Sequence, residues 1–285
     1  MRYPGTWLYV PGDRPDRMDK AVASGAAIVV LDLQDAVAED RKQQARDAVA
    51  DFLARIEPDT FSTRIHVRVN NIRSEAGRRD LDAIAGLRAL AGIRLPRIES
   101  IADIEAATRI VRAGGAQAEF HCLIETALGI ENAYQIASAP GVVAISLGEG
   151  DLRVELGALD EQALVWARSR IVVAAAAAQL PPPAMAVFGN VKDVAGLRES
   201  CLRGRRLGMR GRSAIHPAQL PVIADAFRPT DTEVEQARRV VAAADAHSGG
   251  FALEDGTFVD QPVVAAARLT LEWAQLYPPL EYTRS

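Results

Sequence analysis

Eight short apolar runs constrain this chain most: residues 7–10, 27–33, 65–69, 93–95, 120–124, 142–147, 185–188 and 214–215. At or just past their ends sit Asp13 and Arg14, Gln34 and Asp35, Arg68 and Asn70, Arg97, Glu125, Glu149 and Asp151, Asn190 and Asp193, and His216. A run that stays apolar until its tip is the mark of a strand covered on both faces, as in a parallel sheet. Such runs alternating with helix-like segments predict a (β/α)8 TIM barrel, whose chemistry lies at the C-terminal ends of the strands. The polar tips therefore point to an enzyme rather than a binding module.

Helical periodicity predicts a first helix through Ala23 and further helices over 41–56, 79–90, 101–112, 129–137, 161–179 and 193–206, with Pro58 closing the second. The eightfold alternation ends near residue 227, which gives a catalytic barrel over 1–227 and a C-terminal extension over 228–285. In the extension, Thr230 and Glu233 have capping-box spacing for a helix to about Ala246. Residues 247–250 break that helix, 251–259 read as a hairpin around Asp255-Gly256, and Asp260-Gln261-Pro262 opens a last helix. This helix–hairpin–helix is too short to bury a large core and is expected to pack on the barrel or on a neighbouring subunit.

A net charge of −4 and 5% aromatic residues give no footprint for nucleic acid or an anionic membrane. Of 33 basic residues only Lys20, Lys42 and Lys192 are lysines. Arginine grips carboxylate and phosphate through a planar fork, so this bias suits anionic ligands, although composition alone can produce it. Cys122 and Cys201 make neither a disulfide framework nor a metal knuckle. No run approaches the ~18 apolar residues of a membrane span, and no charged-then-apolar leader opens the chain. A cytoplasmic protein is the expectation.

Glu125 follows the fifth run and Asp151 the sixth. Carboxylates from adjacent barrel strands can converge on Mg²⁺, or each can pair with an arginine or cap a helix. Arg68 lies inside an otherwise apolar strand, placed either to clamp a ligand carboxylate or to form a buried ion pair. Strand alternation sets Asp32 and Gln34 on one side and Asp35 on the other unless the loop turns first. Asp32, Gln34 and Asp35 form a polar tip that can hold metal-bound water or simply cap the loop. Arg14, Arg17 and Lys20 surround a Pro11–Pro15 loop that can face phosphates or simply solvent, and His216 is a candidate acid–base group.

Taken in order, LYVPGDRPDRMDKA, VVLDLQDAVAEDRK, VRVN, LPRIES, LIETALGIENA, SLGEGDL, GRSAIHPAQL and DGTFVDQPV resemble the citrate lyase β-subunit-like family, which includes malyl-CoA and citramalyl-CoA lyases. The resemblance implies the same barrel and a Mg²⁺ ion, with Mn²⁺ as a substitute, on Glu125 and Asp151. It further implies Arg68 as clamp on a 2-oxo acid, and Arg14 and Lys20 near the coenzyme A arm. Asp260 matches a tail aspartate supplied to a neighbouring subunit's site, which implies a homo-oligomer, trimeric or hexameric. Two departures stand out: Gln34 replaces a glutamate in DLEDAV, and Arg97 replaces a lysine in LPKVES.

The implied reaction is reversible cleavage of a short 3-hydroxyacyl-CoA into an acyl-CoA and a 2-oxo acid. Alternatives are a metal-dependent aldolase on free hydroxy-oxo acids, a citrate lyase subunit using a carrier-bound acyl group, and a non-catalytic coenzyme A-binding regulator. The expected partners are small molecules, with no nucleic acid and no membrane.

Overall fold

The computed structural model describes residues 5–57, 61–115, 119–246, 249–253 and 255–277. Pro58, the break at 247–248, residue 254 of the hairpin and everything after 277 lie outside the described residues. The chain divides into two compact units, 1–223 and 224–285.

In the first unit strands and helices alternate: β1 (Thr6–Pro11), α1 (Pro15–Val22), β2 (Ile28–Asp32), α2 (Lys42–Arg55), β3 (Arg64–Arg68), α3 (Glu75–Ile84), β4 (Leu90–Leu95), α4 (Ile101–Ala113) and β5 (Phe120–Ile124). They continue as α5 (Ala127–Glu131), α6 (Ala133–Ala137), β6 (Val142–Leu147), α7 (Glu149–Leu156), α8 (Val165–Ala177), α9 (Val194–Arg206) and β7 (Arg212–Ala214), and α10 (Leu220–Phe227) carries the chain from the first unit into the second. All seven strands run parallel in one sheet, ordered β6-β5-β4-β3-β2-β1-β7. The sheet curls as a TIM-barrel-like fold. Helix follows strand at nearly every step, so each strand's C-terminal end opens into a loop on the same side. β2 and β5 are buried at every position, which explains why these runs read as uninterrupted apolar stretches.

Four elements differ from the sequence expectation. The run at 185–188 is reduced to one parallel bridge, Met185 to Arg212, held by Met185 N–H on Gly211 O at 2.9 Å and Ser213 N–H on Met185 O at 3.0 Å. The preceding residues, Pro181 to Pro183, supply no N–H donors to a ladder. The helix expected over 79–90 instead starts at Glu75, capped by Ser74, and stops at Ile84. Gly86, at φ +82°, turns the chain out of the helix, and residues 90–95 enter the sheet as β4. Finally, α7 and α10 occupy stretches where no helix was expected.

A ring cluster fills the barrel on the N-terminal side of the strands. Trp7 meets His66 at 5.6 Å and His121 at 5.1 Å between centroids, and the two imidazoles meet at 4.5 Å. Such edge-on pairs contribute about 0.5–1.5 kcal/mol each beyond their burial. Burial, followed by nearby arginine charge on His66 and by His66 and arginine on His121, pushes both imidazoles well below their usual range, so both are neutral. Gly92 makes room for this packing, since a Cβ there would stand 2.9 Å from the His66 ring.

The second unit holds α11 (Asp231–Ala246), a two-stranded antiparallel hairpin of β8 (Phe251–Ala252) and β9 (Phe258–Val259), and α12 (Gln261–Leu276). The capping box forms as expected: Glu233 N–H donates to Thr230 Oγ1 at 3.2 Å, and Thr230 N–H to Glu233 Oε2 at 2.7 Å. Gly256, at φ +82°, supplies the hairpin turn. Ala237, Val240, Val259 and Ala267 form a small buried cluster of the unit's own. Among the described residues no helix is long and apolar enough to cross a membrane.

Candidate active site

A cavity of about 640 Å³ opens at the C-terminal ends of the strands in the first unit. Every strand around the sheet contributes: Tyr9 from β1, Asp32 from β2 and Asp35 just beyond it, Arg68 from β3, Arg94 from β4, Leu123 and then Glu125 from β5, Ser146 to Asp151 across β6 and its loop, and Ser213 and Ile215 from β7. The sheet thus brings residues from seven strands, far apart in sequence, into one site.

Arg68 forms the buried ion pair that its sequence position allowed. Its Nε and Nη2 donate to the two carboxylate oxygens of Asp32 at 2.7 and 2.6 Å, and its Nη1 to Asp35 at 3.1 Å. It nonetheless lines the cavity, with its Cζ 5.0 Å from the Tyr9 ring centroid. Burial works against the guanidinium charge, but the hydrogen bonds and charge of Asp32 outweigh it and hold the pKa above the usual arginine value. Asp32 also accepts from the backbone N–H groups of Gln34 and Ala36 at 3.0 and 3.1 Å. Those bonds turn the loop immediately after β2, which breaks the strand alternation. Asp35 therefore reaches the cavity, whereas Gln34 does not line it, and its buried Oε1 has no hydrogen-bond partner.

Glu125 stands one residue past β5, 3% exposed, with no hydrogen-bond partner for Oε2. Burial, reinforced by the negative charge of Asp151, raises its carboxyl from the ordinary 4.5 to about 7. Asp151 comes from the first turn of α7, and both carboxylates line the same cavity. Gly148 lets the loop close over Glu125, because a Cβ there would lie 2.2 Å from Glu125 Cγ. Glu149 is used differently: both its oxygens are taken by Arg168, at 2.9 and 2.6 Å. Among the described residues no three His, Cys, Asp or Glu side chains group as a metal cage. A buried, orphaned carboxylate oxygen beside a second carboxylate fits a hard divalent cation that keeps water or substrate oxygens for its remaining positions.

The other candidates are more dispersed. Arg14 pairs with Asp16 at 3.1 Å at the start of α1, while Lys20 is exposed in that helix's last turn. A separation of six residues places them about 9 Å apart along the helix, and neither lines the cavity. Asp260, in the second unit, caps α12, its Oδ1 accepting from Val263 N–H at 3.2 Å. His216 is exposed and caps a short turn through Nδ1, and Lys192 is exposed on a loop. No lysine lines the cavity. Cys122 and Cys201 are buried free thiols. Arg97 holds a left-handed backbone at φ +52°, and its positive charge acts on Glu125. Sequence reasoning missed Arg94, a fully buried cavity residue, although it shows the signal that exposed Arg68: an arginine inside an apolar run near a strand's C-terminal end.

The family model described as HpcH/HpaI aldolase/citrate lyase matches residues 6–217. A (3S)-malyl-CoA thioesterase of Cereibacter sphaeroides is 36% identical over 275 residues, covering 94% of this chain and 93% of that protein. An L-malyl-CoA/beta-methylmalyl-CoA lyase of the same species is 31% identical over 302 residues, covering 94% of each. The crystal structure of protein CitE from Mycobacterium tuberculosis in complex with magnesium, acetoacetate and coenzyme A superposes with a TM-score of 0.82 at 35% identity, covering 96% of this chain and 98% of that one.

Proposed function

The chain belongs to the HpcH/HpaI aldolase/citrate lyase family, and from that premise we propose that it is a Mg²⁺-dependent carbon–carbon lyase. Its substrate would be a short 3-hydroxyacyl-CoA, released as an acyl-CoA and a 2-oxo acid. The observation that carries this reading is the orphaned, buried Glu125 carboxylate beside Asp151, in the same cavity as Arg68. The magnesium and coenzyme A bound to the related CitE protein support it.

Glu125 and Asp151 would hold the cation, which when bound supplies Lewis-acid polarisation of the oxo-acid carbonyl. Arg68 takes the oxo-acid carboxylate and fixes its orientation, its own fork kept rigid by Asp32 and Asp35. The buried walls around Glu125 and Leu123 exclude water from the reacting atoms. Cleavage needs one proton to leave the 3-hydroxyl oxygen and another to arrive at C2 as the C2–C3 bond breaks. Asp260 of a neighbouring subunit is the group assigned to the C2 proton, through a carboxylate oxygen. Arg14 and Lys20 are assigned to the coenzyme A phosphates. The protein would act as a cytoplasmic homo-oligomer.

Hydrolysis of the same thioester is the second reading, favoured by the relative named as a malyl-CoA thioesterase. Glyoxylate, pyruvate and oxaloacetate tested against acetyl-CoA and propionyl-CoA, with Mg²⁺ and with EDTA, separate the two. A lyase forms a new hydroxyacyl-CoA in at least one combination only when Mg²⁺ is present. A protein that only hydrolyses thioesters forms none.

A further inference from the structure

Arg94 has no role in the chemistry above, yet it is the largest fully buried side chain among the described residues, 1% exposed, and it lines the cavity. It lies on β4 directly opposite Arg68 in the sheet register. Its guanidinium carbon stands 4.6 Å over the Trp7 ring and 5.5 Å from the Tyr9 centroid. The guanidinium therefore crosses the barrel interior and rests on the ring cluster as the floor of the cavity. Its Nε and Nη1 have no hydrogen-bond partner.

The contrast with Arg68 is informative. Each nitrogen of Arg68 already donates once to Asp32 or Asp35, with one N–H left on each Nη, whereas Nε and Nη1 of Arg94 donate to nothing and Arg94 feels Glu125 and Asp32 only as nearby charges. Stacking on Trp7 and Tyr9 offsets part of the burial, but a cation–π contact supplies no acceptor for a buried N–H. Burying a cation with unbonded N–H groups is costly, and an apolar side chain of similar volume would avoid that cost. Burial also draws the Arg94 pKa below the usual arginine value. An anion arriving at the floor would remove the penalty. The enclosed floor suits a compact planar group rather than the long coenzyme A arm.

We propose that Arg94 binds a second carboxylate on the oxo-acid portion of the substrate, so that the cavity selects dicarboxylic over monocarboxylic 2-oxo acids. This rests on the reading that the cavity holds a 2-oxo acid with Arg68 at its first carboxylate.

Calorimetric titration with freshly prepared oxaloacetate and with 2-oxobutyrate, in Mg²⁺, tests it. The two acids share a four-carbon skeleton and differ in whether the chain ends in carboxylate or methyl. The expected result is binding of oxaloacetate tighter by about tenfold or more, as a charge-assisted pair provides. Arg94→Met should abolish the preference while changing 2-oxobutyrate affinity by no more than about twofold. Its melting temperature should not fall, because an unpaired buried charge has been removed. Equal affinities in the unaltered protein overturn the inference and require no variant. Equal weakening of both acids in Arg94→Met also overturns it, making Arg94 a clamp common to all oxo acids. Turnover is read separately: a binding preference without carbon–carbon cleavage removes the lyase reading alone, and cleavage without a preference removes this inference alone. Failure of both acids to bind removes both.

Discussion

Glu125 concentrates the chemistry at the scale of single residues. Its carboxyl, raised to about 7, binds a proton that the unfolded chain, at the ordinary 4.5, releases earlier. Between those values the folded state holds more protons, so this group's contribution to stability falls as pH rises and is fully unfavourable above about 7. In EDTA, Glu125→Gln should therefore be more stable than the unaltered protein at about pH 8, by an amount of order 2–3 kcal/mol, with the gain vanishing near about pH 4. Thermal melts at the two pH values check this, and a gain independent of pH would contradict it. Arg68→Lys should weaken use of the oxo acid by about tenfold or more while leaving acyl-CoA affinity unchanged, because an ammonium cannot replace a fork held by Asp32. Separate KM values for the two substrates measure that split. Arg68 and Glu125 were legible in the sequence because each interrupts or ends an apolar run. The partnership of Arg68 with Asp32 was not, since it depends on the register between β2 and β3. The pairing of Asp35 rather than Gln34 with Asp32 at the cavity was hidden for a related reason: it arises from a loop turn that strand alternation alone does not predict.

At the level of elements, the β5 and β6 ends and the loop into α7 form the working unit. Gly148 joins them, and Gly148→Ala would drive a methyl group into Glu125. That variant should bind Mg²⁺ about tenfold or more weakly, with a far-ultraviolet spectrum like the parent's, because the displaced group is the proposed ligand rather than a core packer. Calorimetric Mg²⁺ titration is the measurement, and unchanged affinity would dissociate Gly148 from the site. Most strands were legible because full burial writes itself as unbroken apolar sequence. α7 was not, because its apolar residues share no buried face: Leu152 is buried, but Val154 is 82% exposed. The segment at Met185 was over-read as a full strand, since apolar content does not reveal that the prolines before it cannot donate to a ladder.

For the whole molecule, division into two units makes Asp260 the residue whose role depends most on assembly. Its side chain caps α12, which is the ordinary use of an aspartate before Gln-Pro at a helix start. If it also serves a neighbouring subunit, Asp260→Asn and Glu125→Gln should each be inactive and should recover part of the activity when assembled into hybrid oligomers. Verified hybrids with no recovery would confine Asp260 to capping. The central claim, that this cavity breaks a carbon–carbon bond and not a thioester, is tested most directly by the products from malyl-CoA and citramalyl-CoA. Oxo acid and free thiol are to be assayed in the same reaction, with Mg²⁺ or with EDTA. The account predicts acyl-CoA and oxo acid in equal amounts with at least one substrate, no free thiol, and no products in EDTA or from Glu125→Gln. Free thiol released in step with substrate loss, without oxo acid, would contradict it.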